Sequence, residues 1–336
     1  MTVFSRWTRR LGKGLRKLYL FEWLALISVA TLILFFSTQP VMTQPLGLAL
    51  WLFKRMAFLA FLSTVLVVLM NAWNLIFRSR DQQRQVLQSF EPRHASYWID
   101  AGRIMISFSL IQTTHLILKA YIPLINSGNF DALLWRLNSV LGAGHDPVVM
   151  VLRLFSAPSV HRAFDILYSS IYFLALWAGV IVFFAFLRGR SRIRFFNSFF
   201  VMWQLGLLLY VLLPSWGPVF TRPELFQEIL MNMPTTVGVQ RQLFLETSSL
   251  VAGQYNVIIR FFGLAAFPSL HVAVFVLYSL WAPKVGKVWL WWNVVLIPLI
   301  LIGSMLTGYH YLIDGLVGAL VAACAWVIGK RTLADS

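Results

Sequence analysis

Residues 288–306, VWLWWNVVLIPLILIGSML, and residues 310–329, HYLIDGLVGALVAACAWVIG, are two long apolar runs separated only by Thr307, Gly308 and Tyr309. A helix needs about 20 mostly apolar residues to cross the hydrocarbon core of a bilayer, and each run meets that length. Two such runs with so short a joint read as a transmembrane hairpin, with His310 and Asp314 at its turn. Working outward, similar runs occupy roughly 18–38, 56–77, 104–124, 165–187, 195–213 and 266–282, which makes eight in all.

Hydrophobic residues fill 59% of the 336 positions and charged residues only 12%, a balance that would leave a water-soluble domain with large exposed apolar patches. The expected fold is therefore all-α, a polytopic membrane helix bundle of about eight transmembrane helices. The first run is too long for the core of a signal peptide, and no small-residue cleavage site follows it, so it is expected to be retained.

A net charge of +16 invites a nucleic-acid reading, but the placement of the basic residues is that of a topology signal. With the N-terminus inside, the inner segments collect Arg6, Arg9, Arg10, Lys13, Arg16 and Lys17, then Arg78, Arg80, Arg84, Arg93 and Arg103. Arg188, Arg190, Arg192 and Arg194, Lys284 and Lys287, and Lys330 and Arg331 follow. These are the greater part of the 28 Lys and Arg, and one orientation satisfies the positive-inside rule for all eight helices. The chain is expected in an inner (plasma) membrane with both termini cytoplasmic, and no nucleic acid is expected as partner. The single cysteine, Cys324, lies in the last span; it cannot form an intrachain disulfide and is expected to pack as a small apolar residue. Trp289, Trp291 and Trp292 fit an interfacial belt.

Residues 1–100 read as an N-terminal two-helix hairpin plus a cytoplasmic loop, and residues 101–336 as a six-helix catalytic membrane domain with outer loops 125–164 and 214–265. The first loop suits short amphipathic helices lying in the interface. The second, rich in Pro, Gly, Thr and Ser, is expected to cover the outer helix ends as a partial lid. Within the third span, Gln112, Thr113, Thr114 and His115 form a polar patch of the kind that hydrogen-bonds between helices, and Lys119 is placed to snorkel to the outer interface.

Ionisable residues at membrane-buried helix ends are costly and serve as candidates for function. Two segments fall at outward-facing helix starts: Phe267-Pro268-Ser269-Leu270-His271 and Gly308-Tyr309-His310-Tyr311-Leu312-Ile313-Asp314. On a helix, His310 and Asp314 share a face, so the carboxylate can accept from one ring N–H, fix the tautomer and raise the basicity of the other nitrogen. Such an imidazole suits attack at phosphorus, and His271 across the site could give a proton to the leaving oxygen. Two helix N-termini would favour a phosphate between them. Ser269 is either a helix cap or a phosphate contact, whereas His145-Asp146-Pro147 in a Gly-rich stretch reads as a turn. No metal cluster and no cofactor site is expected, because Asp314 is better used as the partner of His310 than as a zinc ligand.

The FPSLH segment followed 39 residues after His271 by His310-Tyr-x-x-Asp314 resembles the type 2 phosphatidic acid phosphatase superfamily, whose pattern is Pro-Ser-Gly-His and later His-x-x-x-Asp. The resemblance covers about residues 115–330. It implies that His310 forms a phosphohistidine, that Asp314 orients it and that His271 is the general acid. The lipid phosphatase members also carry a Lys seven residues before Arg-Pro, and Ser-Arg before the nucleophile. Here Arg222-Pro223 is present, but position 215 is Ser, and Gly303-Ser304 stand where Ser-Arg is expected. Arg222 and Arg260 are candidates to replace the missing cations.

That loss, together with Thr307-Gly308-Tyr309-His310-Tyr311, resembles the inositol phosphorylceramide synthase branch. Pro214-Ser-Trp-Gly217-Pro218-Val-Phe220 and the stretch from Lys119-x-x-x-Pro123 through Asp165-x-x-Tyr168 are further points of similarity. Tyr309, Asp165 and Tyr168 thus join the candidate substrate contacts. The branch implies a phosphotransferase that moves a phospho-headgroup, such as inositol phosphate, from a phospholipid donor to a lipid or glycan hydroxyl acceptor; no cofactor is expected, and the inferred topology puts the site on the outer (periplasmic or extracellular) face. The alternatives are a lipid phosphate or polyprenyl pyrophosphate phosphatase and, from another class, a non-catalytic lipid transporter.

Overall fold

In a computed structural model the described residues are 18–38, 45–77, 92, 94–254 and 263–332, and every element among them is helical. Arg260, the basic residues before position 18 and those of the inner loop at 78–91 and 93 lie outside the described residues. The long helices are α1 Leu20–Thr38, α2 Pro45–Phe77, α3 Ala95–Ala120, α6 Pro158–Phe186, α7 Gly189–Leu212, α10 Lys287–Leu306 and α11 Leu312–Arg331. Between them lie α4 Asp131–Leu141, α5 Pro147–Leu154, α8 Pro234–Val251 and α9 Leu270–Trp281.

Among the described residues six helices are long and apolar enough to cross a membrane: α1, Leu50–Leu69 within α2, α6, α7, α10 and α11. The chain is an all-α, multi-pass membrane bundle. The other two expected spans fall in α3 and α9. Helix α3 is long enough, but its Gln112-Thr-Thr-His115 patch, Arg103 and Lys119 lower its hydropathy. Helix α9 with its 3-10 extension reaches only from Leu270 to Lys284. It lies inside the protein, with Ala273, Val274, Phe275, Leu277 and Tyr278 buried. Outward-facing Ile33, Leu34, Phe61, Leu174, Val288 and Leu320 are exposed, which only an apolar solvent makes tolerable. Cys324 is exposed rather than packed inside.

Helices α7, α9 and α11 form the centre. A Cβ at Gly318 would overlap the Ser269 carbonyl, and one at Gly329 would overlap Ser198, so glycine lets α11 approach both neighbours. One half of this centre is filled by aromatic rings, with Phe183 stacked 4.6 Å from Phe195 and tilted against Tyr278 at 5.0 Å. Opposite that plug, the start of α9 meets the start of α11.

Helices α1 and α2 pack on α3. Helix α1 is tied by polar links as well: Asn197 Oδ1 accepts from Phe21 N at 3.1 Å, Gln204 donates to Ser28 at 2.6 Å, and Arg103 pairs with Glu22. In the polar patch of α3, Thr113 and Thr114 donate back to Ser109 and Leu110 of their own helix, not across to another. The loop 125–164 carries α4, α5 and the first turns of α6, in line with the expected short helices. Among the described residues the loop 214–265 carries short helical turns at Pro218–Thr221 and Gln227–Leu230 and one longer helix, α8, which the sequence composition does not suggest.

Candidate active site

The turn from α10 to α11 begins where Gly308, at φ 72°, ends α10 in the left-handed conformation that glycine adopts most readily. Tyr309 N and His310 N both donate to Ser304 O, at 3.0 and 3.2 Å. Ser304, in place of the expected arginine, is thus fully buried and serves the turn through its backbone. His310 stands just before α11 and does not share a helix face with Asp314. Instead Asp314 reaches back from the first turn, its Oδ2 accepting from Tyr311 N at 3.0 Å and from His310 Nδ1 at 3.3 Å.

That contact assigns the tautomer. With the proton of His310 on Nδ1, Nε2 carries the lone pair, and its neighbour at 3.2 Å is His271 Nδ1, which must then be the donor. Ser269 N donates to Asp314 O at 2.9 Å, so the two motifs are joined through backbone as well. The three expected residues therefore form one chain, His271 to His310 to Asp314. Asp314 Oδ1 and Ser269 Oγ are both buried without a partner. Ser269 occupies the cap position of α9, yet its side chain caps nothing.

The start of α11 is not free for a phosphate: Leu312 N donates to Asn138 Oδ1 at 2.9 Å, and Tyr311 N is taken by Asp314. Of the two helix N-termini expected to share an anion, α9 is the one left uncapped.

His271 and His310 open on a cavity of about 290 Å3. Tyr168, Phe173, Trp216 and Tyr309 supply aromatic walls, Thr235, Val239 and Leu243 of α8 a further side, and residues 263–266 another. Tyr168 lies in a π-helical turn, Leu167–Ile171, that interrupts α6 where it passes the site. Its ring stacks 5.7 Å from Tyr309 and lies 5.1 Å from His271, with Tyr172 at 4.5 Å on the same imidazole. Burial, with Asp165 nearby, holds the Tyr309 phenol above its ordinary pKa, so it stays protonated.

The remaining candidates divide. Tyr309 and Tyr168 line the cavity; Ser269, Asp165 and Arg222 do not. Asp165 accepts from Thr235 N at 3.1 Å, Thr236 N at 2.8 Å and Thr236 Oγ1 at 2.7 Å, which fixes the start of α8. Arg222 is exposed, its guanidinium 4.2 Å from the Trp135 ring centroid. Asp146 caps α5 and binds Asn138, as a turn residue would. Lys119, expected to snorkel outward, lines the cavity beside both histidines.

Sequence reasoning passed over the residues that brace the site. Asp131 accepts from Trp216 N at 2.7 Å, Gly217 N at 2.9 Å and Tyr311 Oη at 3.0 Å. Burial, with Asp131 beside it, raises the Tyr311 phenol, which therefore remains a donor. Ser215, at the expected lysine position, accepts from Ala266 N through its carbonyl and from Phe267 N through Oγ, at 2.9 and 3.0 Å. Val219 N donates to Gly308 O at 3.0 Å, and Gln240 Nε2 to Thr307 O at 2.6 Å. The segment 214–219 thereby clasps both histidine-bearing stretches. Among the described residues no group of three His, Cys, Asp or Glu could hold a metal ion.

A multi-pass helical bundle with two histidines and a carboxylate in line at one end of its central helices is a membrane protein built around an imidazole pair, His310 buried and His271 half-buried. The chain belongs to the PAP2 superfamily, whose sequence profile matches residues 132–328. Membership puts it among phosphatase- and phosphotransferase-type lipid enzymes. The curated proteins and the solved structures yield no match to the chain.

Proposed function

We propose that the protein is a lipid phosphotransferase that moves a phospho-headgroup from a phospholipid to a lipid or glycan hydroxyl, with His310 as nucleophile. The observation that carries this reading is the His271–His310–Asp314 chain ending on an apolar, aromatic cavity. Nε2 of His310 attacks phosphorus, the bond to the diacylglycerol oxygen breaks, and His271, protonated to the imidazolium as the anionic lipid enters, supplies from Nδ1 the proton that oxygen needs. Asp314 stabilises the positive charge that develops on His310. The acceptor hydroxyl then gives its proton back to His271 and its oxygen attacks the phosphohistidine, which frees His310.

Transfer is favoured over hydrolysis by the walls of the cavity. Phe173, Trp216, Val239, Leu243 and Leu264 offer little to hold an attacking water and suit a lipid tail. The serines at 215 and 304, bound to backbone, remove the cations a phosphate monoester would use, in keeping with the inositol phosphorylceramide synthase resemblance. The positive-inside pattern supports a site on the outer (periplasmic or extracellular) face of an inner membrane, with cytoplasmic termini. The N-terminal hairpin is then an addition to the catalytic domain.

The test is incubation of detergent-purified protein with headgroup-labelled phosphatidylinositol and a total lipid extract, beside His310→Ala. A new labelled lipid absent from the mutant is the expected result. Labelled inositol phosphate alone would assign hydrolysis. A protein that inserts and binds lipid but yields neither product, and never labels on histidine, would refute the enzyme reading in favour of a transporter.

A further inference from the structure

Lys119 stands in the last turn of α3, before the residues matched by the superfamily profile, and it lines the same cavity as His271 and His310. No hydrogen bond or ion pair joins it to a described residue; its Nζ lies 5.5 Å from the Tyr210 ring centroid. The end of α3 is covered by the returning chain. A Cβ at Gly263, which sits at φ 74°, would meet Ala120 Cα at 2.6 Å and the Lys119 carbonyl at 2.9 Å. Among the described residues lining the cavity Lys119 is the sole Lys or Arg.

An ammonium held among aromatic rings without a counter-ion is costly, and an anion entering the cavity removes that cost. The positions where the resemblance calls for cations are already spent on backbone: Ser215 on Ala266 and Phe267, Ser304 on the 309–310 turn. Arg222 rests outside on Trp135.

We propose that Lys119, supplied by a helix outside the family-matched region, is the phosphate-holding cation of this site and fits it to a singly charged phosphodiester. The Lys119 ammonium and the protonated His271, set against the Asp314 carboxylate, leave one net positive charge to balance one negative charge; a phosphate monoester, near −2, leaves charge uncompensated in an apolar cavity. The inference rests on the proposed reaction for its substrate, but its test does not require turnover.

The experiment measures binding of three short-chain lipids in detergent, in the His310→Ala background so that nothing is consumed. They are dioctanoyl phosphatidylinositol as diester, dioctanoyl phosphatidate as monoester and dioctanoylglycerol as uncharged control. Lys119→Met should weaken diester binding on the order of 10- to 100-fold, the worth of a lost charge-assisted hydrogen bond, and leave the neutral lipid within twofold. Lys119→Arg should recover most of the loss. Diester affinity within twofold of the parent in Lys119→Met, or an equal loss for the neutral lipid, overturns the inference. Tighter monoester than diester binding in the parent overturns the charge match. A protein that binds diester through Lys119 but makes no product in the His310-intact form would sink the proposed reaction and leave this inference standing.

Discussion

Replacing Asp131 by Asn changes one oxygen for an NH2 at a residue that touches neither histidine, and the damage should nonetheless reach both. In the native site the two carboxylate oxygens serve three donors, Trp216 N on Oδ2 and Gly217 N with Tyr311 Oη on Oδ1. Whichever way the new amide is turned, one backbone N–H loses its acceptor and faces another donor. A hydrogen bond to a charged group is worth about 1.5–3 kcal/mol, and the segment 214–217 can recover part of it only by moving off Asp131. That segment carries Ser215, which holds Ala266 and Phe267, and Gly217, which lies against Tyr309. A displacement of about 1 Å at the reacting groups costs roughly 100-fold in rate. Thermal unfolding in detergent and headgroup transfer, both measured on Asp131→Asn, should therefore show a midpoint several degrees lower and a turnover down by one to two orders of magnitude. Tyr311→Phe removes one neutral donor and keeps both backbone bonds, so it should cost less than tenfold. Wild-type turnover and unfolding in Asp131→Asn, or equal harm from Tyr311→Phe, would refute the bracing argument.

Asp314→Asn keeps an oxygen for His310 and Tyr311 but loses the charge opposite the developing imidazolium. Turnover should fall on the order of 1,000-fold with donor KM little changed, read from initial rates at varied donor. Gly217→Ala places a side chain on a residue at φ 100°, where its Cβ would meet Tyr309 O at 2.6 Å; lower thermal stability and at least tenfold slower transfer are expected in the same two assays. Asp165→Asn unfastens the start of α8 while leaving the histidines untouched. It should raise donor KM more than it lowers kcat, and an unchanged KM would show that α8 does not shape the lipid cavity.

The apolar runs made the membrane bundle legible, because each span carries its own signal in composition. The histidine motifs were legible for a related reason: His310 and Asp314 are near neighbours, and any local geometry that turns the chain there brings them together. The geometry itself was not, since a capping arrangement ahead of α11 replaces the shared helix face. Asp131, Asn138 and Ser215 gave no sign of their roles, for their partners lie 85, 174 and 52 residues away. Helix α8 was hidden because its first N–H groups are capped from another helix, by Asp165, and its own sequence opens with Pro, Thr and Thr. Lys119 was read as a snorkelling residue on the general rule for helix ends. That rule assumes an open path to the interface, and residues 263–266 lie across it.

The clasp made by Ser215 ties the charge of the site to the fold of its rim. Its hydroxyl holds Phe267 N, two residues before Ser269 and four before His271. A lysine placed there would bring a charge toward the phosphate and at the same moment release the segment that delivers one of the two imidazoles. A cation at position 215 therefore requires a second acceptor for that N–H, so the charge of the site and the fold of its rim cannot be altered independently.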